Sequence, residues 1–284
     1  MRQHSFRLFL ATGLLLMAAV QTVKAQMVVL HKTDGQTIEC SVTELDSITF
    51  TNIVSHGVNP VVLLEDFTGQ RCTNCPRATE VIEQLQETYG NNIVAVGIHG
   101  GPLAFAGNAK SVGLKTTTGD EYYSHWNLEY QPVGLVNRHF PVFYTEWAAA
   151  VKEELAKPAP LRLSGTAVLA DSTINIQINA EGVDGIVTGK MQVWLIEDSI
   201  QTLQLMPDGT INQEYIHNHV FRTVVNGTWG EDYTVSEGET AQRTMTQVLQ
   251  PDWNSEHLSI VAFFYNDGGV QQATNFDVNK APFP

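Results

Sequence analysis

Basic residues are scarce in this chain: 16 Lys and Arg stand against 30 Asp and Glu, a formal charge of −14. The excess grows if residues 1–25 are removed. Arg2 and Arg7 precede the apolar run Leu8–Val20, and Val23-Lys24-Ala25 offers small residues before Gln26, the pattern of a signal peptide. Cleavage there would leave 13 basic against 30 acidic residues, a charge of −17. No basic stripe is present, which excludes nucleic acid as a partner, because such binding depends on Lys and Arg contacts to phosphate. Long apolar runs are also missing: Leu8–Val20 falls short of the roughly 20 residues that a spanning helix needs, and no later segment reaches that length. Cysteine is rare, with only Cys40, Cys72 and Cys75, and none follows the expected cleavage point to take a lipid. With 43% hydrophobic and 16% charged residues the composition is that of a globular protein.

What the chain does contain falls into four segments. Residues 1–25 are the signal peptide. Residues 26–59 hold a β-hairpin, with strand-like Met27–His31, a turn at Asp34-Gly35, a return over Gln36–Ser41, and a linker behind Leu45, Ile48 and Phe50. Cys40 lies in this segment and reads as a buried thiol. From residue 60 to 157 the order is strand, helix, strand, helix, strand, helix. Val61–Leu64 and Ile93–Ile98 are continuous apolar runs suited to strands buried on both faces. Ala78, Val81, Ile82, Leu85 and Tyr89 recur at helical spacing, with Pro76 in the first turn and Gly90 just past the end. Tyr122–Leu128 suggests a short helix and Thr145–Ala156 another. Lys157-Pro158-Ala159-Pro160 reads as a linker. Beyond it, residues 158–284 show short alternating strands with turns at Asp208-Gly209, Asn226-Gly227 and Asp267-Gly268-Gly269, the pattern of a β-sandwich. The expected fold class is α/β followed by all-β.

The strongest chemical signal is Cys72-Thr73-Asn74-Cys75 at the start of a helix. Unpaired amides and the positive end of the helix dipole stabilise a thiolate there. The thiolate is the attacking species in disulfide exchange, and a second Cys two residues on can resolve the mixed disulfide. Cys72 is the expected nucleophile, Cys75 the resolver, and Arg71 a group that lowers the thiol pKa. The other reading is a structural disulfide, although a loop this short gains little from chain entropy. Two ligands are too few for zinc. His217 and His219, two apart, would share one face of a strand as a possible metal pair, against the plainer reading of surface histidines. His99 ends a strand near the end of the sheet where sites form. Trp126, Trp147, Trp194, Trp229 and Trp253 read as core or interface residues. No motif points to a cofactor.

Val62-Leu63-Leu64-Glu65-Asp66-Phe67 leading to Cys72 resembles the thioredoxin-like superfamily. That resemblance implies a buried acid at Asp66 that assists proton transfer at the resolving thiol, and a cis-proline at Pro132 against the disulfide. The sequence departs from it in having Arg71 before the first Cys and Pro76 after the motif, and in showing no clear strand over Arg138–Tyr144. A broader resemblance is to the outer membrane protein 28-related (Omp28-related) family of Gram-negative anaerobes. It is carried by Glu65–Gly69, Cys72–Pro76, Pro132 with Asn137-Arg138, Glu197-Asp198, Tyr215–Val220 with Arg222, and Val261–Asn266. Together these imply a thioredoxin-like domain followed by an immunoglobulin-like β-sandwich, exported to the periplasm, outer membrane or surface. Two functions follow as expectations: thiol–disulfide exchange on envelope proteins through Cys72, Cys75, Asp66 and Pro132, or non-catalytic binding of an envelope partner with a structural Cys pair. The sequence leaves the oligomeric state and the redox direction open.

Overall fold

The computed structural model describes residues 27–31, 35–45 and 57–280. The expected signal peptide, the Asp34 turn position, Ile48 and Phe50 lie outside those residues. Backbone contacts divide the chain into two units, residues 1–53 and 54–284. In the first, strands β1 (Met27–His31) and β2 (Thr37–Ser41) pair antiparallel in the register Met27 to Ser41. Met27, Val29, Leu30 and Ile38 are exposed on it. Cys40 is a free thiol, half-buried rather than buried, with its sulfur 3.9 Å from the Val28 carbonyl.

The second unit begins with β3 (Val62–Thr68), helix α1 (Cys75–Tyr89), β4 (Ile93–His99), α2 (Thr117–His125), β5 (Val133–Val136), β6 (Pro141–Phe143) and α3 (Trp147–Glu154). It continues through β7 (Leu161–Ala170), β8 (Thr173–Gly182), β9 (Ile186–Glu197), β10 (Ile200–Leu205), β11 (Ile211–His217), β12 (Val220–Val224), β13 (Glu231–Ser236), β14 (Thr240–Val248), β15 (Leu258–Asn266) and β16 (Gly269–Lys280).

This architecture corrects the expected fold class. There is no thioredoxin-like α/β domain set before a separate immunoglobulin-like sandwich. Sixteen strands and three α-helices make up the described residues, and one twelve-stranded mixed sheet runs through the second unit in the order β14-β8-β7-β16-β15-β9-β12-β4-β3-β5-β6, with β13 on β9. The splice is small. Parallel β4 and β12 meet at the single pair Val220 and Gly97, where the Gly97 amide donates to the His219 carbonyl at 2.8 Å. The segment around Pro158 is packed into the same body, with Ala159 and Val58 exchanging two backbone hydrogen bonds of 3.0 Å.

The apolar runs misled because continuous hydrophobicity reports that both faces of a strand are covered and says nothing about what covers them. On one face of β3 and β4, Val62, Leu64, Ile93 and Ala95 pack against Ala78, Ile82 and Leu85 of α1 and Trp147 and Val151 of α3. On the other, Leu63, Phe67, Val94, Val96 and Ile98 meet Tyr122 of α2 together with Trp194, Phe221, Val261 and Phe263 from β9, β12 and β15. Strands of the later half therefore close the core that a helical layer was expected to close. A third core, including Ile174, Ile176, Ile178, Val193, Leu195 and Ile260, lies between β7–β8 and β9–β15. The strand missing from the sequence reading is β6, which pairs antiparallel with β5 over Pro141–Phe143. Among the described residues no helix is long and apolar enough to cross a membrane.

Candidate functional site

Strand β3 carries two adjacent acids, and the period of two sends them to opposite faces. Glu65 points into the aromatic core. It is fully buried and receives Arg138 Nε and Nη2, both 3.3 Å from Oε1. The Arg138 guanidinium lies over the rings of Tyr265 at 4.4 Å and Phe263 at 4.6 Å, so its Nη1, which has no hydrogen-bond acceptor, faces π-electrons instead. Burial raises the Glu65 pKa and the Arg138 charge pulls it back. Asn137 and Arg138 both hold positive φ, 50° and 59°. Their backbone is tied by Asn137 N to Leu63 O at 2.8 Å and Val270 N to Asn137 O at 2.8 Å.

Asp66 points to the α1 side. It is 2% exposed, its Oδ1 has no partner, and burial pushes its pKa up to about 8. Past it the chain turns at Gly69, where an added Cβ would lie 2.4 Å from the Leu103 carbonyl, so only glycine fits. The Cys72 amide donates to Gly69 O at 3.0 Å, and α1 begins at Cys75. Cys72 and Cys75 form a disulfide, and the Cys75 amide points at Cys72 Sγ from 3.1 Å. The sulfur pair thus does stand at a helix start. Arg71, expected to tune it, instead stacks on Phe105 at 4.7 Å. Pro132 is buried and follows a cis peptide bond from Gln131. The Gln131 amide nitrogen donates to Thr68 O at 2.5 Å and to Gly100 O at 2.9 Å, binding the ends of β3 and β4 together.

The disulfide is not open to solvent. Cys72 is 1% exposed and Cys75 2%. What covers them is the β10–β11 hairpin, about 130 residues away in sequence, which pairs with no other strand. Gln204 Nε2 donates to Cys72 O at 2.9 Å and Leu205 N to Gln70 O at 2.8 Å. Gln70 Nε2 donates to Leu203 O at 3.2 Å, and Thr202 Oγ1 to Val112 O at 2.8 Å. Beneath the hairpin is a cavity of about 40 Å³ whose lining includes Asp66, Cys75, His99, Gln204 and His217, room for a water molecule at least.

His217 and His219 do not share a face as the possible metal pair would require. His217 ends β11 facing inward, its ring 5.5 Å from that of His99 in a T-shaped contact. His219 sits in the following bend at φ 56° and turns to Asp198, 3.1 Å away. Only a straight strand would have aligned them. His99, singled out weakly by its place at the end of β4, is buried in the cavity with an unpartnered Nδ1. Trp147 and Trp194 are core residues, while Trp126, Trp229 and Trp253 are partly buried. Gln70, Gln204 and the Glu65–Arg138 pair had no signal of their own in the sequence. Asn137-Arg138 entered only through the family resemblance.

The family described as Outer membrane protein Omp28 matches residues 119–281, more than half of the chain. No curated protein matches significantly. Among solved structures, HBP35 of Porphyromonas gingivalis aligns over 80% of this chain and 78% of its own, with a TM-score of 0.60 at 13% identity. That likeness concerns fold alone. A domain of the outer membrane lipoprotein Omp28 from the same organism is 23% identical over 44% of this chain and 92% of that one, with a TM-score of 0.33.

Proposed function

This chain belongs to the Omp28 family of outer membrane proteins, and from that premise we propose that it is an outer-membrane-associated binding protein whose Cys72–Cys75 bond is a shielded structural cross-link. The periplasm or cell surface of a Gram-negative bacterium is its proposed place, and other envelope proteins its proposed partners. One observation carries the reading. Exchange requires a visiting thiolate to reach a sulfur in line with the S–S bond, and here Cys72 and Cys75 are 1% and 2% exposed, with Gln204 donating to the Cys72 carbonyl.

The test is the reactivity of the bond in the full chain at pH 7.5. Reduction by a phosphine should be at least about 100-fold slower in the native than in the denatured chain. The reduction potential should lie below about −300 mV. Replacing both residues (Cys72→Ser with Cys75→Ser) should lower stability by about 2 kcal/mol, the value for a short loop. A potential above about −250 mV with rapid native reduction would reject a structural role.

A second reading, thiol–disulfide exchange on envelope proteins, is favoured by Asp66. A buried acid that is still protonated near neutral pH beside Cys75 is suited to move a proton to or from a resolving thiol. In that reading Cys72 attacks, Cys75 resolves, Pro132 shapes the approach, and the hairpin must first withdraw. Cys75→Ser would then trap partner proteins on Cys72 in envelope extracts, and an absence of adducts would end it.

A further inference from the structure

The β10–β11 hairpin is attached to the body in an unusual way for a buried contact. Its inward residues are Thr202, Gln204 and His217 rather than apolar side chains, while β11 is otherwise exposed or half-exposed. Water can replace each hydrogen bond that holds it. A lone two-stranded hairpin has little stability of its own. Both stems pass through non-glycine residues at positive φ, Ser199 at 59° and His219 at 56°. They are clasped there by Asn218 Oδ1 to the Ser199 amide at 2.9 Å and Asp198 Oδ1 to the His219 amide at 2.6 Å. Strained stems clasped locally make a hinge that leaves the sheet intact when the hairpin moves.

We propose that the β10–β11 hairpin is a flap over the Cys72–Cys75 disulfide, and that the stacked imidazoles of His99 on the body and His217 on the flap are its acid-sensitive latch. The proposal rests on the shielded-disulfide reading and assigns its regulation. The two rings meet edge to face, and neither has a carboxylate partner. His217 Nε2 is 3.3 Å from the Leu203 carbonyl within the hairpin. Protonating both would place two like charges about 5.5 Å apart in a buried pocket.

The surrounding groups do not offset that charge. Asp66, in the same cavity, is neutral below about pH 8 and offers no counter-charge. Opening would let it ionise above its ordinary 3.8, a dependence of opposite sign, so the latch is read in the Asp66→Asn chain. Arg222 adds positive potential at His99, with its own partners Glu197 and Asp252. Asp198 is committed to His219. Asp120, on the α2 side, is held by Lys115 and the Gly101 amide. Glu83 borders the cavity from α1 but is exposed to solvent, and Tyr215 is neutral throughout this range. Burial accordingly lowers His217 to about 4 and His99 well below its ordinary 6.5. A group whose closed-state pKa is depressed in this direction favours the neutral, closed form above about pH 6.5. That preference is lost as pH falls towards 4, because the open form takes up protons that the closed form refuses. His217 alone raises the open fraction about twentyfold between pH 7 and 5, and His99 adds to it.

The experiment follows phosphine reduction of the folded full chain carrying Asp66→Asn from pH 7.5 to 5, normalised to an unstructured disulfide peptide, beside amide hydrogen exchange. The expected result is a normalised rate rising by at least about twentyfold from pH 7 to 5. It should be flat within about twofold when His99→Phe and His217→Phe are combined, which keeps both rings but leaves neither able to titrate, and intermediate in His217→Phe alone. In the Asp66→Asn chain with both histidines present the Gln201–Ile216 amides should lose protection in acid while those of β15 keep theirs, a readout independent of whether the histidine variants fold. A pH-independent rate, a rise that persists when both histidines are phenylalanine, or joint loss of protection in hairpin and β15 overturns the latch. Rapid reduction already at pH 7.5 overturns the shielded disulfide instead, so the two failures are separate.

Discussion

Glu65 and Asp66 are neighbours in sequence and both buried, yet they sit in opposite kinds of environment. Glu65 shares its face of β3 with Arg138, four aromatic rings and the backbone ties of Asn137. Asp66 shares the other face with a cavity, two neutral imidazoles and a disulfide, and its Oδ1 has no partner. The first joins Glu65 to Arg138 amid side chains from α2, β9 and β15 and the turn after β5. The second is completed by a hairpin tied down through side-chain amides and a hydroxyl. Buried polar groups that are satisfied rigidify a fold, whereas unsatisfied ones store free energy that a rearrangement releases. The contrast locates where this protein is rigid and where it is poised to move.

Breaking the Glu65–Arg138 pair should have the largest effect. Arg138→Met leaves Glu65 buried without its cation and should cost about 3–5 kcal/mol in denaturant unfolding. Adding Glu65→Gln should recover part of that loss, since the uncompensated charge is then gone. A full loss that persists in the double variant would mean that packing against the rings, not the ion pair, is what matters.

Asp66→Asn should act in the opposite direction. The folded-state pKa of Asp66 is raised from 3.8 to about 8. Its favourable contribution is therefore complete below about pH 4 and is lost as pH rises towards 8. The Asn variant should be more stable than the parent by about 2–4 kcal/mol at pH 7.5 and no different at pH 4. Equal stability at both pH values would show that Asp66 is already ionised and solvated in the folded protein. The smallest effect belongs to the cap: Gln204→Ala removes the amide that donates to Cys72 O. Exchange of the hairpin amides should speed up by about 1–2 kcal/mol of local opening free energy, with global unfolding nearly unchanged.

The site was partly legible in the sequence because local rules act on it. The helical spacing of Ala78, Ile82 and Leu85, Pro76 in the first turn and Gly90 at the end place a helix start next to Cys72 and Cys75, and α1 runs from Cys75 to Tyr89. The hairpin that covers this site was illegible as a cover. Thr202 and Gln204 face inward, so the buried side of β10 carries no hydrophobic periodicity. The fold class failed at Val62–Leu64 and Ile93–Ile98 for a related reason. A fully apolar strand looks the same whether helices or other strands lie on it, and here Trp194, Phe221 and Phe263 take the place expected for a helical layer.

The amino-acid sequence by itself determined the strongly acidic charge, the family, and the position of two cysteines at a helix start, because each follows from composition, motif or short-range periodicity. Only the tertiary structure decided that the sheet continues from Gly97 into Val220, that Glu65 meets Arg138 while Asp66 meets no partner, and that His217 is carried over His99 to close the disulfide in. Those pairings join residues some 70 to 130 positions apart, and the chain states them nowhere locally; they exist only once the sheet has brought distant strands edge to edge.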